Sequence, residues 1–133
     1  MSENLDLVRS IYAEWERGEY GSAEWAHPKI ECVYADGPSP RSSVGLAEMA
    51  AGSRDYLSAF EEYRQEAKEY RELDAERVLV LIDRSGRGKV SGLELGQMMT
   101  QGAHVFHVRD GKVTRFIAYW DRQRALAELG LAE

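Results

Sequence analysis

The sequence has little cysteine, no long apolar run and no excess of positive charge. Its single cysteine, Cys32, excludes an internal disulfide and is typical of a reducing cytoplasm. The apolar run VLVLI, residues 78–82, is far shorter than the roughly 20 residues of a membrane-spanning helix. The opening residues MSENLDLVRS carry charges where a secretory leader would be apolar. We therefore expect a cytoplasmic protein that does not enter a membrane.

The charge balance is acidic, with 17 Lys and Arg against 23 Asp and Glu and a formal net charge of -6. This balance argues against nucleic acid or an anionic membrane surface as the main partner. The length of 133 residues predicts a single domain, residues 1–133, which is long enough to bury a core of its own. A composition of 44% hydrophobic and 30% charged residues is ordinary for a globular protein.

Helical spacing is the main pattern in the first part of the chain. One helix face follows the i, i+3, i+7, i+10 spacing and carries Leu5, Val8, Tyr12 and Trp15. We predict that this helix ends at Gly18 and that a second short helix covers residues 20–26, ending before Pro28. A strand is predicted for residues 30–34, and the Gly, Pro and Ser content of residues 35–43 predicts a loop.

A longer helix is predicted for residues 44–62, after which the period of the apolar residues changes to two. The second part of the chain has predicted strands at 63–73, 77–84, 93–109 and 112–120, a turn at 74–75, a glycine-rich reversal at 85–92, and a last helix from Asp121 to Gly130. Helices separated from a run of antiparallel strands indicate the α+β class. We predict a curved antiparallel sheet wrapped around three helices, cone-shaped, with an internal cavity suited to a small molecule.

The hairpin around Asp110-Gly111 decides which way His104 faces. A two-residue mirror-image turn would place His104 opposite Ile117, whereas a three-residue loop with a bulge would place it opposite Phe116. The second register is favoured because it collects the charged residues on one face and leaves the other almost wholly apolar. His104 would then be the single ionisable group on the concave face.

His107, three residues along the same strand, would point to the opposite face. The two histidines of this strand therefore cannot share a metal ion, and we expect no metal site. No cofactor-binding motif is indicated either, because GRGKVS at residues 86–91 lacks the spacing and context of a phosphate loop.

Two segments together resemble the nuclear-transport-factor-2-like superfamily, which includes ketosteroid isomerase and the SnoaL-like polyketide cyclases. They are the opening segment LVRSIYAEWERGEYGSAEWAHPKIECVY and the closing segment GAHVFHVRDGKVTRFIAYWDRQRALAELGL. The resemblance covers essentially the whole chain and implies the conical α+β fold, commonly as a homodimer. Since the superfamily includes isomerases, cyclases, dehydratases and members without chemistry, the fold alone does not select an activity.

Ketosteroid isomerase has an aspartate base opposite an oxyanion hole made by a tyrosine and a protonated aspartate. By resemblance, Asp36 matches the base, and His104 stands where the isomerase has the protonated aspartate. The tyrosine position falls on Ile11, with Tyr12 one residue away. Two of the three catalytic positions differ from the isomerase, which argues against steroid isomerisation.

Each candidate catalytic residue also has a structural alternative. His104 can be a buried neutral imidazole that is hydrogen-bonded to a backbone or tyrosine partner. Asp36 can be a turn residue before Gly37. Asp121 resembles the base of the polyketide cyclases, but an aspartate in this position is also a natural helix cap.

A set of large side chains is expected to line the pocket, although all of them could equally form core. They are Tyr12, Trp15, Tyr34, Tyr56, Met98, Phe106, Phe116 and Trp120. Cys32 would face inward as a packing residue. On the outer face of the sheet, Val105, Val113, Ile117 and Tyr119 indicate a homodimer surface.

Three functions remain open at this point. The first is a cofactor-free isomerase, cyclase or dehydratase acting on a small apolar carbonyl-bearing compound. In that enzyme Asp36 would be the base and His104 the acid or oxyanion donor. The second is a pocket that binds such a compound without converting it, and the third is a dimerisation module of the same fold.

Overall fold

The protein is described by a computed structural model, which covers residues 3–17, 19, 24–35, 41–58, 60–88 and 97–131. The helices are α1 (Glu3–Glu16), α2 (Leu46–Ser58) and α3 (Arg122–Glu128). The strands are β1 (Ala26–Tyr34), β2 (Arg41–Val44), β3 (Phe60–Glu72), β4 (Arg77–Gly88), β5 (Gln97–Arg109) and β6 (Lys112–Tyr119). Among these residues no helix is long and apolar enough to cross a membrane.

The six strands form one curved, unclosed sheet in the order β2-β1-β6-β5-β4-β3. The α+β class is confirmed, but the sheet is mixed, because β1 runs parallel to β6 while the other neighbours are antiparallel. The prediction of a wholly antiparallel sheet was therefore wrong at this pair. In the chain, β1 and β6 are separated by β2, α2, β3, β4 and β5, so no local turn signal reveals their pairing.

The helices lie on both faces of the sheet, which corrects the prediction that the sheet wraps around all three. Helices α1 and α2 contact β1, β2, β3 and β4, and Val8, Ile11 and Tyr12 of α1 enter the larger core. Helix α3 packs against β5 and β6. Its Ala125 and Leu126 belong to a second cluster on the opposite face.

The predicted short helix at residues 20–26 is wrong at its end. Glu24 and Trp25 form a turn, Ala26 begins β1, and residues 20–23 lie outside the described part of the chain. Ala26 pairs with Val113 of β6, and the register of β1 shifts between Ala26 and Glu31. A shift of this kind accommodates Pro28 inside a strand, because proline has no N–H to give to the ladder.

Two further boundaries differ from the prediction. Residues 41–44, predicted within a loop and at the start of a helix, form β2 and pair with β1. The helix predicted for 44–62 begins only after Gly45, whose φ of 98° favours glycine, and β3 starts at Phe60. Residues 60 and 61 pair with Gly88 and Arg87 of β4. This long-range pairing overrides the helical pattern.

Neither predicted register of the last hairpin is correct. Asp110 and Gly111 form a two-residue turn with φ of 52° and 76°, and Arg109 pairs with Lys112. A bulge between His107 and Val108 then shifts the ladder. As a result His104 lies opposite Ala118 rather than Ile117 or Phe116.

The bulge also changes the expected homodimer surface. Val113 is fully buried in the larger core, not on the outer face. Val105 and Tyr119 do lie on the outer face, but they pack in the same cluster as Ala125 and Leu126 of α3. The apolar patch is therefore largely covered within the chain, and a homodimer stays a prediction that rests on the resemblance.

Candidate functional site

His104 lies in the middle of β5 on the face covered by α1. It pairs with Val80 on one side and Ala118 on the other, and it is 3% exposed. Its Nδ1 atom is hydrogen-bonded to the hydroxyl group of Tyr12, which is a residue of α1. Of the two matches considered for the helix tyrosine, Ile11 is core and Tyr12 reaches His104. The alternative of a buried histidine with a tyrosine partner is confirmed.

Arg84 is the residue that the sequence analysis missed. Its side chain is buried, with 3% of the residue exposed. The Nη2 atom lies 3.3 Å from Nε2 of His104. The same atom donates a hydrogen bond to the Tyr119 carbonyl oxygen at 3.0 Å. Its Cζ atom lies 4.9 Å from the centre of the Trp120 ring, a cation–π contact. The alternation of Val78, Val80 and Ile82 along β4 continues to Arg84 and could have placed it on the inner face.

Gly102 makes room for the guanidinium group. A Cβ atom at this position would overlap Nη1 of Arg84 and would lie 2.6 Å from the Tyr119 carbonyl oxygen. The glycine lies on β5 two residues before His104, on the same face. The absence of a side chain therefore lets Arg84 lie across the sheet beside His104.

The direction of the hydrogen bonds follows from the chemistry of arginine. A guanidinium group can only donate, so Nε2 of His104 accepts from Arg84. In a neutral ring the proton then sits on Nδ1, which donates to the Tyr12 hydroxyl oxygen. Burial, followed by the charge of Arg84, holds the pKa of His104 well below its ordinary value of 6.5. His104 is therefore neutral at physiological pH.

The positive charge of Arg84 has no described counterion. None of the ion pairs among the described residues includes Arg84, and its Nε and Nη1 atoms are buried without a hydrogen-bond partner there. Such unpaired groups cost about 1–3 kcal/mol each, and more when charged.

Aromatic rings surround the histidine. The ring of Phe116 lies 4.8 Å from that of His104, and the ring of Trp15 lies 6.1 Å from it. Phe106 contacts Phe116 at 5.0 Å between ring centres. The chain Arg84–His104–Tyr12, hereafter the polar chain, is thus embedded in an apolar wall.

The remaining expected residues are placed as follows. Tyr34 is half-buried and packs against the larger core, and Trp120 lies against Arg84. Asp36 lies outside the described residues, and so do the side chains of Tyr56 in α2 and Met98 in β5. Their roles stay predictions.

Asp121 serves as the N-cap of α3, as its structural alternative proposed. Its side chain is exposed and accepts a hydrogen bond from the Gln123 backbone N–H at 3.0 Å. The structure does not bring it together with His104 in the polar chain. Cys32 is buried in the larger core, where desolvation raises the pKa of its thiol to about 11, so it is a packing residue.

Within the described part of the chain, no group of three or more His, Cys, Asp or Glu side chains is placed to hold a metal ion. His107 is half-buried on the other face of β5, away from the polar chain.

No protein-family model and no curated protein sequence matches the chain. Solved structures do match. A protein of unknown function from Burkholderia pseudomallei, described as NTF2-like, is 23% identical at a TM-score of 0.78, covering 96% of this chain and 97% of its own. A protein from Jannaschia, assigned provisionally as a SnoaL-like polyketide cyclase, is 15% identical at a TM-score of 0.74, covering 96% and 89%.

TerC, co-crystallised with polyporic acid, is 23% identical at a TM-score of 0.75, and the match covers 96% of this chain and 98% of TerC. The chain has the nuclear-transport-factor-2-like fold. The fold inferred from the opening and closing segments is thereby confirmed. In this nuclear-transport-factor-2-like fold, the polar chain lies between the first helix and the inner face of the sheet.

Proposed function

We propose that this chain binds a small, apolar, carbonyl-bearing compound against the polar chain and converts it by cofactor-free acid–base chemistry. The reaction would be an isomerisation, cyclisation or dehydration. The observation that carries the proposal is the hydrogen-bonded series Arg84–His104–Tyr12, buried among aromatic rings. A buried polar series beside an apolar wall is the usual composition of a small-molecule site.

The polar chain supplies donors for a developing negative charge. Removal of a proton next to a carbonyl group gives an enolate oxygen, which fixed N–H and O–H donors stabilise in a dry site. Because His104 donates to the Tyr12 oxygen, it increases the acidity of the Tyr12 hydroxyl, and Arg84 adds a full positive charge. His104 is then a positioning residue that acts through Tyr12. Asp36 stays the proposed base.

Similar structures support a small-molecule role. One from Xanthomonas campestris, 20% identical at a TM-score of 0.71 with 96% of each chain covered, is assigned provisionally as a polyketide cyclase. TerC was crystallised with polyporic acid. These names support a compound with oxygen functions as the ligand class.

Binding without conversion is the second candidate, and one observation favours it. Both ring nitrogens of His104 already contact protein groups, so the imidazole has no nitrogen to offer a substrate directly. Because the pKa of His104 lies well below 6.5, the ring is not positively charged at neutral pH and cannot serve as the acid.

Deuterium exchange separates these candidates without knowledge of the natural substrate. 2-Tetralone, a flat ketone with acidic protons beside its carbonyl, is incubated with the protein in D2O and followed by NMR. The proposal predicts accelerated exchange that falls about 100-fold in Tyr12→Phe, since one oxyanion donor is lost. His107→Gln, on the other face of β5, serves as the control and should leave the rate unchanged.

The other outcomes have distinct meanings. Saturable binding of 2-tetralone without exchange supports the non-catalytic pocket and contradicts the enzyme. Exchange that is equally fast in Tyr12→Phe contradicts the role of the polar chain. Absence of binding across a panel of flat apolar ketones contradicts both candidates and leaves the dimerisation module.

A further inference from the structure

Arg84 is a buried positive charge. The proposed carbonyl chemistry does not explain why two of its nitrogen atoms have no acceptor among the described residues. We infer that the ligand carries a carboxylate group and that this carboxylate accepts hydrogen bonds from the N–H groups of Arg84 that the described residues leave unpaired. This inference rests on the proposed small-molecule function and names the class of the ligand: a flat, apolar monocarboxylic acid.

The donors of Arg84 divide into two groups. Nη2 lies between the Tyr119 carbonyl oxygen and Nε2 of His104, so protein acceptors account for it. Nε and Nη1 are buried without an acceptor among the described residues. They carry three N–H bonds in all. The described residues therefore hold the guanidinium group by one nitrogen and give the other two no acceptor.

Charge balance selects a monoanion. Arginine is always protonated, and none of the ion pairs among the described residues includes Arg84. The neighbouring His104 is neutral and therefore adds no charge beside Arg84. One carboxylate cancels the single charge, whereas a phosphate dianion would replace a buried positive charge with a buried negative one. Charge-assisted bonds to a carboxylate are also roughly twice as strong as those to a neutral carbonyl.

The residues around Arg84 indicate what the rest of the ligand, beyond its carboxylate group, should look like. Arg84 is 3% exposed, so a free ion in solution does not meet it, and a ligand must enter the interior to reach it. The Trp120 ring lies over the guanidinium group, and Phe116 and Trp15 lie beside His104. These rings favour a flat, unsaturated body next to the carboxylate.

A matched pair of probes tests the inference. Cinnamate and cinnamamide share shape and size but differ by one charge, and their affinities for the full chain are measured by calorimetry at the same pH and salt. We expect cinnamate to bind at least about tenfold more tightly. Arg84→Met should weaken the binding of cinnamate much more than that of cinnamamide, so that the preference for cinnamate is lost.

The variants are chosen so that loss of folding does not obscure the result. Arg84→Met replaces a buried charge by an apolar side chain of similar length, but it also takes the donor away from the Tyr119 carbonyl oxygen and from Nε2 of His104. Urea unfolding of each variant therefore establishes that it is folded before the affinities are compared. Arg84→Gln is the second variant, with the same expected loss. Arg77→Met, on the same strand but at a partly exposed arginine paired with Asp74, is the control and should keep the preference for cinnamate.

Failure of this inference is distinguishable from failure of the proposed function. Equal affinities for the two probes, or a preference that survives in Arg84→Met, overturn the carboxylate inference and leave the carbonyl site intact. If neither probe binds, the inference is overturned. If 2-tetralone and the ketone panel also fail to bind, the proposed function fails with it.

Discussion

At the scale of single residues, Arg84 and His104 determine each other's hydrogen bonding. Arg84 can only donate, which assigns the acceptor role to Nε2 of His104 and the donor role to Nδ1. The Tyr12 oxygen accepts the hydrogen bond from this Nδ1–H group. The direction of the whole polar chain is thus set by one guanidinium group.

The pKa of His104 should respond to the loss of this neighbour. Burial lowers it first and the charge of Arg84 second, so Arg84→Met removes the second cause and raises the pKa. The change is measured by NMR titration of the imidazole, with His107 as the internal reference. An unchanged His104 titration in the variant would contradict the contact between Arg84 and the ring.

The stability of the protein should decrease as the pH falls below 6.5. His104 binds its proton more weakly in the folded state than in the unfolded chain. Its contribution is therefore complete above the unfolded pKa of about 6.5 and is lost as the pH falls towards the folded value, by up to about 1.4 kcal/mol per pH unit.

Urea unfolding at pH 7.5, 6.5 and 5.5 measures this effect. The exposed carboxyl groups with lowered pKa values, Asp74, Glu69 and Glu128, lose their contributions at lower pH, below about 4.5. His104→Gln should flatten the profile between pH 6.5 and 5.5 more than His107→Gln does. Equal flattening in the two variants would contradict the assignment to His104.

Much of the polar chain could be predicted from the sequence, but its charge could not. The alternation around His104 placed it on the inner face, and Tyr12 lay one residue from the expected tyrosine. Arg84 is the last residue of the predicted strand 77–84, and no sequence pattern marks it as buried, since charged residues are usually exposed. Its partners come from β5, β6 and the segment after β6, and only the folded sheet brings them together.

At the scale of elements, α3 and its cap lie on the face of the sheet opposite to the polar chain. Asp121→Ala removes the hydrogen bond to the Gln123 N–H and should cost about 1 kcal/mol of stability. Asp121→Asn keeps a side-chain acceptor and should cost much less. Both variants should retain the exchange activity towards 2-tetralone, per folded molecule.

This pair also tests the cyclase-like role expected for Asp121. A loss of exchange in Asp121→Asn at unchanged stability would identify the carboxylate as a base and would contradict a purely structural role. Denaturant unfolding and the deuterium exchange assay on the same samples separate the two effects.

Elements with strong local patterns were predicted well, whereas those formed by long-range pairing were not. The helical face of Val8 and Tyr12 and the cap at Asp121 are local signals, and both are confirmed. The strand at 41–44 has no apolar alternation and forms because β1 offers an edge. The bulge at His107 and Val108 likewise has no local signature, and it shifted the predicted register.

At the scale of the whole molecule, the sheet separates two cores. The larger one lies under α1 and α2 and contains the site, while the smaller one lies under α3. The outer apolar patch that indicated a homodimer is mostly used to hold α3. The homodimer predicted from the resemblance would therefore form through other surfaces.

The resemblance still predicts a homodimer. Sedimentation equilibrium at micromolar concentrations should give twice the chain mass of 15.1 kDa. A single-chain mass throughout the micromolar range would contradict this prediction, and it would leave the site in place, because Tyr12, His104 and Arg84 all come from one chain.

The most direct test of the account is the imidazole ¹⁵N spectrum of His104, recorded at pH 7 with and without cinnamate. The chain has three histidines, so His27 and His107 serve as internal controls. We predict a neutral ring protonated on Nδ1, whose signals shift on saturation with cinnamate while those of His27 and His107 do not. A ring protonated on Nε2, or His104 signals unchanged at saturation, would contradict the polar chain as the ligand site.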